Sequence, residues 1–335
     1  MKTLSFLLVL QLAASARADM LILAHRGVHQ RYSRRDLGPD TCTAERIFEP
    51  CHAFLENSLP SMAEAFRLGA DMVELDVHAT ADGKVVVFHD WRLECRTNGQ
   101  GVVEEQTLAS LRALDIGHGY TADGHRTHPF RCRPESKGYA ACMRRNRMPT
   151  LEEVLLAFPD EQLAINMKSG SMRSMRIILS ELRRIRAQHH QDLSRLLFYC
   201  GRQRILDAAR EQLPEMTVPK LGSQAIGKCL AAYFLSGRFA PECEGAMLAL
   251  PYERLEALEP AAAAKLVDDV HAAGGKLGLV RVDTQAAYAR ARALGVDGIW
   301  TDRIELIGLP VIHPRGSSPP RELRSRELQG WGLLR

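Results

Sequence analysis

From residue 149 onward the chain alternates short apolar runs with longer amphipathic ones. The short runs, at 162–167, 196–200, 216–221, 246–250, 276–282 and 298–301, predict strands. Helical periodicity fills the spaces between them, over 172–188, 202–212, 224–235, 259–273 and 284–294, and a further helix spans 150–157 behind Pro149. Pro260 opens the helix at 259–273, and Gly274 lies just past its end. Such alternation implies a parallel sheet with helices outside it. Upstream, an apolar run at 20–24 ends in His25-Arg26-Gly27, and a helix begins near Leu59-Pro60 and stops at Gly69. Two more extended runs, 73–80 and 85–88, flank Asp82-Gly83. This makes nine candidate strands. An eight-stranded α/β barrel leaves one surplus, and a doubly wound open sheet is the rival architecture, although no Gly-x-Gly-x-x-Gly follows the first strand.

The pair of runs around Asp82-Gly83 carries the first chemical signal. Asp-Gly between extended runs predicts a two-residue hairpin turn. Ala81 then pairs with Lys84, and the ladder sets Asp76 opposite His89. Side chains alternate along a strand, so Glu74 and Asp76 share a face. Two carboxylates suit a hard divalent cation such as Ca²⁺ or Mg²⁺, and a neighbouring imidazole can move a proton. The competing reading is a solvated polar face on an edge hairpin.

Other polar groups fall at the C-terminal ends of predicted strands, where parallel barrels gather reactive side chains. These are His25 and Arg26 after the first strand, and Asn166 and Lys168, two apart, at the end of 162–167. Glu56 and Asn57 precede the helix near Leu59, where they either cap it, as Ser58 or Ser61 does, or point into a site. Two histidines, two carboxylates, an amide and two cations suit cleavage of a phosphate ester, with charge stabilising the phosphoryl oxygens and imidazoles moving protons.

Composition narrows the picture. The 335 residues are 46% hydrophobic and 25% charged, ordinary for a globular protein, with a formal charge of +4. Residues 1–18 read as a secretory signal: Lys2, an apolar stretch over 4–14, and Ala16-Arg17-Ala18 as a cleavage form. Its removal takes away Lys2 and Arg17 and leaves +2, no footprint for nucleic acid, and no later stretch predicts membrane insertion. Eight cysteines then fit a secreted or periplasmic, oxidising location. Proximity favours Cys42 with Cys51, Cys132 with Cys142, and Cys229 with Cys243; a zinc site is the rival, but no Cys-x₂-Cys occurs. Residues 28–55 form a connection longer than a structural loop needs. Residues 91–148 show little periodicity and read as an insertion whose arginines draw an anion toward the site or simply form a solvated face. Residues 312–335 read as a disordered tail.

Taken in order, the chain resembles the glycerophosphodiester phosphodiesterase family. The resemblance rests on Ala24-His25-Arg26-Gly27, Glu56-Asn57-Ser58, Val73-Glu74-Leu75-Asp76-Val77, Val86-Val87-Phe88-His89-Asp90, Thr97-Asn98-Gly99, Pro149-Thr150-Leu151-Glu152-Glu153 and Asp297-Gly298-Ile299-Trp300-Thr301-Asp302. It implies a TIM-type (β/α)₈ barrel over 19–311, with a cap inserted at 91–148 after the His-Asp strand. It implies one divalent metal, Ca²⁺ or Mg²⁺, on Glu74 and Asp76, acid–base catalysis by His25 as base and His89 as acid, and phosphate contacts from Arg26 and Lys168. The implied reaction releases sn-glycerol 3-phosphate and an alcohol from deacylated phospholipids, after attack by water or by the glycerol hydroxyl. In the family a glutamate usually stands two residues before the lysine as a third metal ligand; here that position is Asn166, which keeps an oxygen but loses a charge. A lysophospholipase D or sphingomyelinase D-like activity, or phosphodiester binding without catalysis, are the alternatives. The segment 279–283, where the family often has Trp-Thr, and the long 28–55 connection bear on substrate choice.

Overall fold

The computed structural model describes residues 20–38 and 41–307; the signal at 1–18 and the tail at 312–335 lie outside the described residues. Among the described residues, eight strands carry the fold: β1 (Leu21–His25), β2 (Met72–Ala79), β3 (Val85–Val87), β4 (Gln162–Met167), β5 (Leu196–Tyr199), β6 (Met247–Pro251), β7 (Lys276–Val280) and β8 (Gly298–Thr301). Seven of them form one parallel sheet in the order β5-β4-β2-β1-β8-β7-β6, and β3 pairs antiparallel with β2 outside that path. The surplus strand is therefore β3. The chain at 216–221 supplies only a single parallel bridge, Leu197 to Thr217, beside β5. Pro219 lies two residues on, and a proline cannot donate to a ladder. The architecture is a TIM-type barrel in which, among the described residues, no ladder joins the Thr217 bridge to β6.

Pleating sorts the side chains. Val73, Leu75 and Val77 of β2, with Ile22, Ala24, Leu163, Ile165 and Phe198, are buried in the main core beneath the helices. The alternate positions Leu23, Ala164 and Leu197 form a small separate cluster with Met72, Tyr199 and Trp300. That cluster is an apolar floor inside the barrel. One pleat further along each strand, on the same inner face, stand His25, Glu74 and Asn166, and Asp76 lies one pleat beyond Glu74. Both faces of β2 are thus buried, one by helices and one by the polar interior.

The hairpin corrects one expectation. Val77 pairs with Val87 and Ala79 with Val85, so the loop has three residues, Ala81 to Gly83. Thr80 closes it: its N–H donates to Lys84 O at 2.8 Å, and its hydroxyl accepts from Lys84 N at 2.9 Å. Gly83 takes φ 76°, which only glycine adopts freely. The one-residue slip sets Phe88, not His89, against Asp76, with Phe88 N donating to Asp76 O at 2.9 Å. The strand stops at Val87, so His89 reaches the interior from the loop beyond it.

A second core gathers Ala44, Ile47 and Leu55 of the long connection, Val86 and Phe88 of the hairpin, and Leu93, Val103, Leu111, Ile116, Tyr120, Phe130 and Met148 of residues 91–148. Cys42 pairs with Cys95, not with Cys51, across 53 residues; Cys51 is a free, exposed thiol. Both Cys42 and Cys95 pack on the second core, so tertiary packing rather than proximity chooses the partner. Cys132–Cys142 and Cys229–Cys243 form as their spacing predicts. Among the described residues, no helix is long and apolar enough to cross a membrane.

Candidate active site

The chain leaves β1 through two left-handed residues, Arg26 (φ 60°) and Gly27 (φ 77°). A Cβ on Gly27 would sit 2.8 Å from Ser61 C and 2.9 Å from Met62 N, so glycine lets this loop press on the first turn of the helix Leu59–Arg67. The contact turns Arg26 inward. Its N–H donates to Glu74 Oε2 at 3.2 Å and its Nη1 to Glu56 Oε1 at 2.9 Å, while Nε lies 3.2 Å from Asp76 Oδ2 without the angle of a hydrogen bond. Ser58 caps the helix, with its side chain accepting from Ser61 N, which leaves Glu56 and Asn57 free to face the interior.

Glu74 and Asp76 have no solvent exposure. Glu74 Oε1 accepts from Tyr199 OH at 2.9 Å. Asp76 Oδ1 accepts from Asn166 Nδ2 at 2.9 Å and lies 3.4 Å from Lys168 Nζ; Oδ2 accepts from Asn57 Nδ2 at 2.9 Å. Burial works against charge on both carboxyls, with different results. For Asp76, Arg26, His89, Lys168 and His25 overcome burial and hold the carboxyl well below the usual carboxylate range. For Glu74, burial and the adjacent Asp76 charge raise proton affinity against the pull of His25 and Arg26. One carboxylate is saturated with cations, and its neighbour is short of positive charge.

Two histidines bracket this pair, each held by a carboxylate. His25 Nδ1 lies 2.6 Å from Asp302 Oδ1, and its Nε2 is 3.8 Å from Glu74 Oε2. His89 Nδ1 lies 2.6 Å from Asp90 Oδ1. Although burial opposes it, His25 and His29 hold Asp302 ionised, and Arg96 with His89 does the same for Asp90. An ionised carboxylate only accepts, so each imidazole donates from Nδ1 and, when neutral, keeps an open lone pair on Nε2. Burial and Arg26 lower the proton affinity of His89.

Behind the site, Arg96 is 2% exposed and reaches both halves. Its Nη2 donates to Glu56 Oε2 at 3.2 Å and to Thr43 Oγ1 at 2.7 Å, and its Nη1 pairs with Asp90. Tyr120 OH adds a bond to Glu56 Oε2 at 3.3 Å. Against the cost of burial, Arg96 and Arg26 keep the Glu56 carboxyl well below its ordinary range.

The structure thus gathers every residue singled out in the sequence: His25, Arg26, Glu56, Asn57, Glu74, Asp76, His89, Asn166 and Lys168. It adds Tyr199, Asp90, Asp302, His29 and Arg96. Tyr199 was within reach of sequence reasoning, two residues beyond Leu197 on an inward face. Asp90 and Asp302 stand within the family-like stretches without an assigned role. Nothing local marks Arg96, whose partners lie 6 and 40 residues away.

A divalent ion fits the chemistry of this set. Glu74 and Asp76 offer hard anionic oxygens, and Asn166, whose N–H₂ is spent on Asp76, keeps a neutral amide oxygen. The charge-poor position of Glu74 is what a cation would relieve.

Comparisons with known proteins follow the same line. The family model described as the glycerophosphoryl diester phosphodiesterase family matches residues 25–306. A glycerophosphodiester phosphodiesterase of Bacillus subtilis is 37% identical over 103 residues, 31% of this chain and 31% of that protein, well under two thirds of its length. The glycerophosphoryl diester phosphodiesterase domain of a Mycobacterium tuberculosis protein superposes with a TM-score of 0.62 at 22% identity, covering 86% of this chain and 97% of that one. A phosphodiesterase of Oleispira antarctica, solved with the product sn-glycerol-3-phosphate, gives a TM-score of 0.52 at 21% identity over 84% of this chain and 92% of that one.

Proposed function

Because the chain belongs to the glycerophosphoryl diester phosphodiesterase family, we propose that it hydrolyses glycerophosphodiesters to sn-glycerol 3-phosphate and an alcohol, using His25 and His89 as its proton carriers. The observation that carries this reading is the convergence of two histidine–carboxylate pairs, His25–Asp302 and His89–Asp90, on the buried Glu74 and Asp76.

His25 Nε2 takes the proton of the attacking hydroxyl, whether of water or of the glycerol itself. Its Nδ1–H stays on Asp302, which stabilises the imidazolium that forms. His89, oriented by Asp90, gives a proton to the departing alcohol oxygen. Arg26 and Lys168 supply positive charge to the phosphoryl oxygens. A divalent ion, Ca²⁺ or Mg²⁺, held by Glu74 and Asp76 with the Asn166 oxygen, would add Lewis-acid stabilisation of the same charge. The long connection at 28–55 and the insertion at 91–148 form a cap that sets the far wall of the site. The three disulfides suit secretion or a periplasmic location.

The test is a panel of glycerophosphodiesters and lysophosphatidylcholine, assayed after chelation and add-back of Ca²⁺, Mg²⁺ or Mn²⁺. Release of sn-glycerol 3-phosphate from glycerophosphocholine, lost by about 10²-fold or more in His25→Ala and His89→Ala, supports the reading. Release of choline from lysophosphatidylcholine alone would move the substrate class to lysophospholipids. Binding without turnover, indifferent to His25→Ala, would leave a phosphodiester-binding protein.

A further inference from the structure

His29 lies four residues beyond the proposed base, and the reaction above gives it no proton to carry. It is 3% exposed. Its Nδ1 is 3.1 Å from the carbonyl oxygen of Gln30, an acceptor, so Nδ1 carries a proton and Nε2 is the nitrogen turned toward Asp302. That Nε2 has no hydrogen-bond partner and faces Asp302 Oδ1 at 3.6 Å. This buried nitrogen therefore shares one oxygen of Asp302 with His25 Nδ1, which lies 2.6 Å from it. One ligand atom from each of the three residues lies within 4.8 Å of the others. The remaining oxygen of Asp302 pairs with Arg34, which Asp283 shares at 3.3 Å.

We propose that His25 Nδ1, His29 Nε2 and Asp302 Oδ1 form a second metal site, separate from Glu74 and Asp76, that takes a borderline ion such as Zn²⁺ and switches off His25. Two imidazole nitrogens and one carboxylate oxygen are the donor set of zinc rather than of calcium or magnesium. A Nδ1–H bonded to a backbone carbonyl, as on His29, is the arrangement that orients metal-binding histidines. Tetrahedral ligands around zinc stand about 3.4 Å apart, so the His29–Asp302 spacing is ready and the His25–Asp302 spacing must open by about 0.8 Å. The consequence for catalysis is tautomeric, and it rests on the reading that His25 Nε2 accepts a proton. An imidazole bound to metal through Nδ1 carries its proton on Nε2. Filling the site displaces the Nδ1 proton and leaves Nε2 a donor, unable to act as base.

The experiment titrates the full chain in a Cys51→Ser background, because that exposed thiol would itself take zinc. With the carboxylate site saturated by Mg²⁺, calorimetry with ZnCl₂ and visible absorption with Co²⁺ read the second site directly, whatever reaction the protein catalyses. One Zn²⁺ per chain is expected, with phosphodiesterase activity falling in step. His29→Gln, checked for folding by thermal melting and read against its own metal-free rate, weakens Zn²⁺ binding by about tenfold or more and loses the inhibition. Zn²⁺ binding and inhibition unchanged in His29→Gln would overturn the site. Binding that depends on His29 but leaves the parent rate untouched would overturn the switch.

Discussion

Asn57 and Asp76 exchange two hydrogen bonds: Asn57 Nδ2 donates to Asp76 Oδ2 at 2.9 Å, and Asp76 N donates to Asn57 Oδ1 at 3.0 Å. Asn57 sits at φ 56°, a left-handed conformation that asparagine tolerates better than most residues. The pair joins the segment before the first long helix to the strand bearing the carboxylates. Asn57→Ala removes both bonds, and the lost bond to a charged group is worth about 1.5–3 kcal/mol. The expected result is a fall in kcat/KM of about 10- to 100-fold with a lower melting temperature. Unchanged kinetics would show that Asp76 is positioned without this partner.

Asn166 stands beside the two carboxylates as a neutral amide. It donates to Asp76 Oδ1, so Asn166→Asp exchanges a donor for a third buried carboxylate. The metal-free variant should melt below the parent, because like charges in one dry pocket repel. Its affinity for Ca²⁺ or Mg²⁺ should rise, and saturating metal should recover the lost stability by mass action. Thermal melts with and without metal, together with a binding isotherm, measure both effects. No tightening would remove Asn166 from the metal's surroundings.

Arg96 is a positioning residue. It holds Asp90, which orients His89, and Glu56, which orients Arg26, and the next residue in the chain, Cys95, is tied to Cys42. Removing one partner of a buried pair costs about 3–5 kcal/mol. Arg96→Met should destabilise the fold by about that amount, and where it still folds, lower kcat with little change in KM. Cys42→Ser, or mild reduction, should give a smaller version of the same kcat effect. A variant with lost stability but unaltered kcat would reduce Arg96 to a purely structural role.

The pH profile tests the assignment of His89 as acid. Burial and Arg26 lower its proton affinity, while Asp76 and Asp90 oppose them. An acid must carry its proton, so activity falls as pH rises through its pKa. The alkaline limb of kcat/KM should therefore lie below the ordinary imidazole value of about 6.5. Asp90→Asn removes a charge that favours the proton and should push the limb lower still. A limb above about 6.5 that ignores Asp90 would take the acid role from His89.

What the sequence determined by itself is what depends on neighbours along the chain. The period-two pattern of β2 puts Glu74 and Asp76 on one inward face, the strand–helix alternation gives the parallel sheet, and the short spacing pairs Cys132 with Cys142. What only the tertiary structure decided depends on contacts between distant segments. The three-residue turn at Thr80 moved the hairpin register by one, and the shared core of the 28–55 and 91–148 segments chose Cys95 over Cys51 as the partner of Cys42. The same packing brought Arg96 to Glu56, and barrel closure of β8 against β1 brought Asp302 to His25 and His29. Local pattern fixes which way a side chain points, because pleat and helix have short periods; its partner is set by burial, which sums over the whole chain.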